Sequence, residues 1–314
     1  MSTTTHARCQ VLAASEPAAR DDRRASVREY VMCRPDHFTV AYAINPWMDP
    51  TRPVDTALAI DQWELLRAAY LSLGHRVHVL EPAAGLPDMV FAANGAFVVG
   101  DRALGARFRE PVRTGEAPAH AGLLTALGID VAAPTAVNEG EGDFAWAYGR
   151  VLAASGFRAE PAARAELAAT FALPVVPLEL VDPRFYHLDV ALAVLDERTV
   201  AYYPPAFSAE SRAWILGQFP DAIEVGPADA MVLGLNCVSD GRHVVLAAQA
   251  TELAGLLSER GFVPVPVDLS ELLKAGGGVK CCTLELHRPV SPAHSDPLHP
   301  LGSAEGSIRT DLEI

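Results

Sequence analysis

The stretch ANGAFVVGDRALGAR (residues 93–107) reads as a β-hairpin: two short apolar runs meet at Gly100–Asp101, a turn pair of the right chemistry. The same pattern returns three times. DFAWAYGRVLAA (143–154) turns at Gly149–Arg150, LDVALAVLDERTVAYY (188–203) near Asp196–Glu197, and LNCVSDGRHVVLA (235–247) at Asp240–Gly241. A helical stretch follows each, over about 118–127, 160–172, 209–218 and 249–260, and then a short Val/Pro-rich strand. An opening unit has its own helix near 55–73, where Ala57, Leu58, Trp63, Leu66 and Tyr70 form an apolar stripe.

The repeat has a period. A polar residue stands near the start of each unit: Asn45, Asn94, Asp143, Asp189 and Asn236. The intervals are 49, 49, 46 and 47, and one more, of 45, lands on Cys281. A period of this size argues for an array of one supersecondary unit. About five ββαβ units and a closing strand predict an α/β ring, with equivalent strand ends meeting at its centre. Polar residues also begin strands for no functional reason, so the motifs must carry the function.

Composition limits the choices. Of 314 residues, 50% are hydrophobic and 20% charged, too apolar for a disordered chain. The net charge of −14 disfavours a nucleic-acid surface, which needs clustered Lys and Arg. No apolar run approaches the length that spans a bilayer, so no membrane is expected. Residues 1–28 and 288–314 read as flexible tails around a single catalytic body at 29–287. Five cysteines, an odd number, fit reduced thiols in the cytoplasm better than disulfides.

Five segments could do chemistry. AGGGVKCCTLEL (275–286) presents Cys281 and Cys282 after a glycine run that lets backbone approach a ligand. The run is not a phosphate loop, because Lys280 is followed by cysteine. A buried structural cysteine is the alternative reading. FYHLDV (185–190) puts His187 and Asp189 on one face of a strand, an acid–base group beside a cation holder, or simply a surface pair. NEGEGDF (138–144) crowds Glu139, Glu141 and Asp143, which repel one another unless a cation sits among them. A guanidinium or ammonium ligand serves as well as Ca²⁺ or Mg²⁺, and no EF-hand spacing is present. PDMVFAANG (87–95) and RFREPVRTGE (107–116) offer Asp88, an apolar wall at Phe91, Asn94, and Arg113 as a bidentate carboxylate clamp in a polar loop. AINPWMDP (43–50) adds the amide of Asn45 and the ring of Trp47. Hydrolase elbows, zincin pairs and zinc spacings are missing.

Taken together, the period, the acidic loop, His-x-Asp and a terminal Gly-Gly-x-x-Cys-x-Thr resemble the pentein superfamily of guanidino-group-modifying enzymes, over roughly residues 29–287. The superfamily includes arginine deiminases, dimethylargininases, amidinotransferases and arginine dihydrolases. The resemblance implies a five-fold α/β propeller with its site in the central channel. It makes Cys281 the nucleophile, His187 the catalytic histidine and Glu139 its partner, with Glu141 the alternative. Asp189 holds the guanidinium, and Asp143, Glu141, Asn94, Asn45, Asp88 and Phe91 surround the substrate. Arg113 binds its α-carboxylate. Phe-x-Ala-Asn and the AsnProTrpMet of 45–48 look like arginine dihydrolases, since deiminases and dimethylargininases usually carry Asp at the place of Asn94. The implied reaction is hydrolysis of arginine to ornithine, CO₂ and ammonia through a covalent thiouronium. The alternatives are a dimethylargininase, a deiminase giving citrulline, an amidinotransferase, or an arginine-binding sensor without catalysis. No cofactor and no metal are implied. The partner is a small guanidino substrate, and a homo-oligomer is left open.

Overall fold

A computed structural model of the chain describes residues 23–288. It contains five three-stranded sheets of one topology. In the second unit, β3 (Ala96–Val99) pairs antiparallel with β4 (Arg102–Gly105), and after helix α2 (Glu116–Ala126) β5 (Asp130–Ala132) lies parallel to β4. The third unit is β6 (Phe144–Trp146), β7 (Val151–Ser155), α3 (Ala163–Phe171) and β8 (Val175–Glu179). The fourth is β9 (Leu192–Val194), β10 (Val200–Tyr202), α4 (Ala209–Gln218) and β11 (Ile223–Glu224). After a single turn, α5 (Pro227–Ala230), the fifth runs through β12 (Val238–Ser239), β13 (His243–Ala247), α6 (Thr251–Glu259) and β14 (Val263–Val267).

The first unit is assembled from both ends of the chain. It has a middle strand β1 (Glu29–Cys33), helix α1 (Thr56–Ser72) and an outer strand β2 (Arg76–Leu80). Its inner strand is β15 (Leu284–Glu285), which follows the short helix α7 (Ser270–Leu273) and pairs antiparallel with β1. This corrects the place of Asn45. It lies in the connection from β1 to α1, and Cys281 is the residue that precedes the first sheet's inner strand.

The turns follow from side-chain chemistry. Asp240 Oδ1 accepts from the backbone N–H of Arg242 and His243 at 2.8 and 2.7 Å, and Asp196 Oδ1 does the same for Arg198 and Thr199, both at 2.8 Å. Helix α1 is capped by Asp55, which accepts from Leu58 N at 3.0 Å. Its buried face is Ala59, Gln62, Trp63, Leu66 and Tyr70, so Ala57 and Leu58 fall outside the expected stripe.

Contacts between neighbouring sheets close a five-fold α/β propeller. β-Bridges join Val99 to His287, Arg107 to Asn138 and Leu180 to Phe207. Ser239 Oγ donates to Leu195 O at 2.6 Å between the fourth and fifth units. Ser26 N donates to Asp240 O at 2.9 Å between the fifth and the first. Residues 23–28 thus belong to the ring, with Arg23 lying over the Phe262 ring, and are not tail. The rest of both expected tails, 1–22 and 289–314, lies outside the described residues. No described helix is long and apolar enough to cross a membrane.

The seal made by β15 is apolar as well as hydrogen-bonded. Leu284 is fully buried among Val31, Met89, Ala96 and Val98. Leu284→Ala should therefore cost about 2–5 kcal/mol, read as a lower urea midpoint with an unchanged m-value.

Candidate active site

Each unit delivers a polar group to the centre just before its inner strand. The tight turn Ala92–Gly95 carries Asn94, Gly140–Gly142 carries Glu141 between Glu139 and Asp143, and Leu188–Val190 carries Asp189. His187 is extended backbone and Asp189 is in a turn ahead of β9, so the two are not on a strand as expected. Both nonetheless face the centre.

Cys281 is buried and makes three polar contacts there. Its Sγ donates to Asp189 Oδ2 at 3.1 Å and accepts from Asn236 Nδ2 at 3.2 Å, while its N–H donates to Asn236 Oδ1 at 3.0 Å. Asn236 Nδ2 also donates to Asp189 O at 3.1 Å. Burial, then the charge and hydrogen bond of Asp189, push the Cys281 thiol well above its ordinary pKa. Burial likewise raises Asp189. The pair thus favours a protonated thiol. Cys282 is buried too, and burial also raises its thiol.

His187 Nε2 lies 2.8 Å from Glu139 Oε2. Arg158 Nη1 donates to both oxygens of Glu139, at 3.0 and 3.1 Å. Burial would raise the Glu139 carboxyl, but His187, Arg158 and Arg113 outweigh it and hold the group below its ordinary range. Asp143 Oδ2 accepts from Glu139 N at 2.7 Å and its Oδ1 stands 4.0 Å from His187 Nε2, so the residue braces the loop rather than opening onto the pocket beside Cys281. Gly142 is needed for closeness: a Cβ there would lie 2.5 Å from Asn94 Nδ2 and 3.0 Å from His187 Nδ1.

Glu141 turns the other way. Lys280 Nζ, Glu285 N and His287 Nε2 donate to it at 2.6, 2.7 and 2.7 Å. It neither pairs with His187 nor lines the pocket beside Cys281, which corrects its expected substrate contact. Arg113 is corrected as well. It is buried in the turn Pro111–Arg113, not in an open loop, and its Nε and Nη2 are taken by Glu116 at 2.9 and 2.8 Å. Nη1 donates to Asn94 Oδ1 at 3.0 Å, so no free fork remains for a bidentate clamp.

The pocket beside Cys281 is small, about 10 Å³, with Asn45, Asp88, Asn94, Arg113, Arg158 and Tyr186 among its walls. Phe91 and Met48 add apolar surface. Asp88 Oδ2 accepts from Tyr42 at 2.8 Å. Asn45 Nδ2 donates to Ala275 O at 3.0 Å and its Oδ1 accepts from Trp47 N at 2.9 Å, which pins the loop over the glycine run. An arginine-sized ligand requires this loop to shift.

Asn236, Arg158, Glu116 and Tyr186 were not singled out as site residues from the sequence. For Asn236 the signal was the period itself, since it stands 45 residues before Cys281. For Arg158 the signal was subtler: Arg113 follows Asn94 by 19 residues, and Arg158 follows Glu139 by 19, so successive units supply equivalent arginines.

A thiol, a His–Glu pair and buried carboxylates at the centre of this ring suit a cationic, planar substrate carbon. The chain belongs to the pentein superfamily of guanidino-group-modifying enzymes and is a hydrolase within it. It is 57% identical over 271 residues to the N(G),N(G)-dimethylarginine dimethylaminohydrolase of Mycobacterium tuberculosis, covering 86% of this chain and 89% of that protein. It is 34% identical over 275 residues to the bifunctional arginine dihydrolase/ornithine cyclodeaminase ArgZ of Synechocystis, covering 83% of this chain and 38% of that one. The N-terminal domain of ArgZ, solved bound to substrate, matches with a TM-score of 0.80 at 34% identity, over 83% of this chain and 99% of that domain. No family model matches the chain.

Two predictions follow from the two acids. Glu139→Gln should depress turnover far more than Glu141→Gln, read as kcat in purified variants that melt normally; the reverse order rejects the pairing. The second concerns pH. Burial would lower His287, but Glu285 and Glu141 outweigh it and hold it up to about 9, from 6.5. A raised pKa stabilises the fold fully below pH 6.5, and that contribution is lost as pH rises through about 9. The urea midpoint should fall across this window, and should fall less in His287→Gln.

Proposed function

We propose that the protein hydrolyses the guanidinium of N-methylated arginine to citrulline and a methylated amine. The observation that carries the chemistry is the Cys281–Asp189 contact of 3.1 Å, with the His187–Glu139 pair in the same centre. The choice of substrate rests on the 57% identity to a dimethylarginine dimethylaminohydrolase across most of both chains. It favours the dimethylargininase alternative over arginine dihydrolysis.

The steps follow from the groups present. A guanidinium held by Asp189 brings positive charge to the thiol, which favours the thiolate that burial opposes. The thiol proton passes to His187, and the thiolate attacks the central guanidinium carbon and forms a C–S bond. The C–N bond to the substituted nitrogen then breaks, and His187 gives the departing amine its proton. Water adds to the thiouronium carbon with His187 taking a proton. The C–S bond breaks and its electron pair returns to sulfur. Glu139, held by Arg158, orients His187 and offsets its charge.

A second reading, arginine to ornithine, CO₂ and two ammonia, is favoured by one observation. Arg113 donates to Asn94 Oδ1, which leaves the amide nitrogen as the group offered near His187 and Gly142. A donor there suits a neutral ureido oxygen, so citrulline could react again.

The deciding experiment incubates the protein with asymmetric dimethylarginine, arginine and citrulline separately and identifies products by mass spectrometry. The proposal expects citrulline and dimethylamine from the first, with added citrulline untouched. Ornithine with two ammonia per arginine would establish the second reading, and Asn94→Asp should then stall at citrulline. Cys281→Ser should abolish either reaction while Cys282→Ser keeps most of it, because a hydroxyl is a much poorer nucleophile than a thiolate.

A further inference from the structure

A second cavity, larger than the pocket beside Cys281, also lies at the centre. It measures about 60 Å³ and has Asp189 in its lining together with Ala145, Val194, Ser239, Glu141 and Lys280. The substrate pocket includes Cys281 and lacks Asp189, whereas this cavity includes Asp189 and lacks Cys281. Asp189 links the two, lining this cavity while its Oδ2 accepts from the Cys281 sulfur at 3.1 Å. Its Oδ1 is buried and has no hydrogen-bond partner among the described residues. A buried carboxylate oxygen without a protein partner is ordinarily satisfied by water, and a cavity of this size with Asp189, Glu141 and Lys280 in its wall has room for a few.

The proposed chemistry needs water at one moment only. After the amine leaves, the thiouronium is still joined to Cys281 and its amino-acid arm occupies the pocket on that side, the loop over the glycine run having shifted to admit it. Water from the front would have to pass that arm. Water from behind starts one residue away, because Asp189 lines that cavity and touches the sulfur. On the basis of that reading of function, we propose that the cavity behind Asp189 stores the hydrolytic water and delivers it to the covalent adduct. Lys280 and Glu141, paired at 2.6 Å, form part of its wall. In the step served, the water oxygen bonds to the thiouronium carbon, one water proton passes to His187, and the C–S bond breaks with its electron pair going to sulfur. The water's second proton, left on the new hydroxyl, passes to the departing sulfur, so the products are the neutral ureido group, the Cys281 thiol and a protonated His187 that gives its proton to the released amine or to solvent.

Filling the cavity tests this. Val194→Phe and Ala145→Leu occupy it from two different strands, and Val194→Ile and Ala145→Val do so mildly if the larger side chains prevent folding. Each enzyme is mixed with dimethylarginine, and separately with arginine, then acid-quenched on the millisecond scale, and the Cys281 adduct is followed by intact mass. Delivery from behind predicts hydrolysis of the adduct slowed about tenfold in the Phe and Leu variants, with adduct formation changed less than about twofold. The Ile and Val variants should move the same way by less. If adduct hydrolysis is unchanged in every variant that folds, water comes from the front and the inference is overturned. If native enzyme passes through no adduct with either substrate, the covalent reading itself falls, which separates the two failures.

Discussion

The pairing of β15 with β1 is the constraint on which the molecule rests. Five units can form a ring only if the last reaches the first, and here two residues of strand and a buried leucine make that join. Cys281 sits three residues before the joining strand. Closing the ring and placing Cys281 against Asp189 and Asn236 are thus one event. The glycines ahead of it serve the same end, because a Cβ on Gly277 or Gly278 would run into Phe91 or Asn236.

The centre that this ring encloses is costly in charge. Glu139, Asp143, Asp189, Arg113, Arg158 and His187 are all nearly out of contact with solvent. Isolated, each would be heavily penalised, and they persist because each is paired. Arg158 offsets Glu139, and Arg113 offsets Glu116. The two arginines come from equivalent places in neighbouring units, so the ring repeats its solution to burying an acid. Asp189 and Cys281 remain as the pair without a cation of their own. A cationic group placed against Asp189 would offset that deficit.

Much of the fold was legible in the sequence because its determinants are local. Turn pairs such as Gly100–Asp101 and Asp240–Gly241 mark hairpins by backbone preference alone, and helix α4 matches its expected span of 209–218. The period then exposed the ring. What was misread depends on connection order and on burial. Asn45 fits the period by number, yet the first sheet takes its inner strand from the other end of the chain, and no local signal reveals that. Arg113 looked like an open clamp since Glu116 is only a nearby acid in sequence, whereas in the fold it occupies the fork. Glu139 and Glu141 differ by two residues and face opposite chambers, because Gly140 takes a left-handed conformation, φ +53, that turns the chain between them.

The join between chain ends also bears on how the protein is made. Residues emerge from the ribosome in order, at about 5–20 per second. Until β15 appears, β1 has an unpaired edge, and a nascent chain presents that edge to its neighbours. A chain cut short before Thr283 would carry Cys281 without the strand that fixes it, so incomplete synthesis leaves an aggregation hazard rather than a weak enzyme.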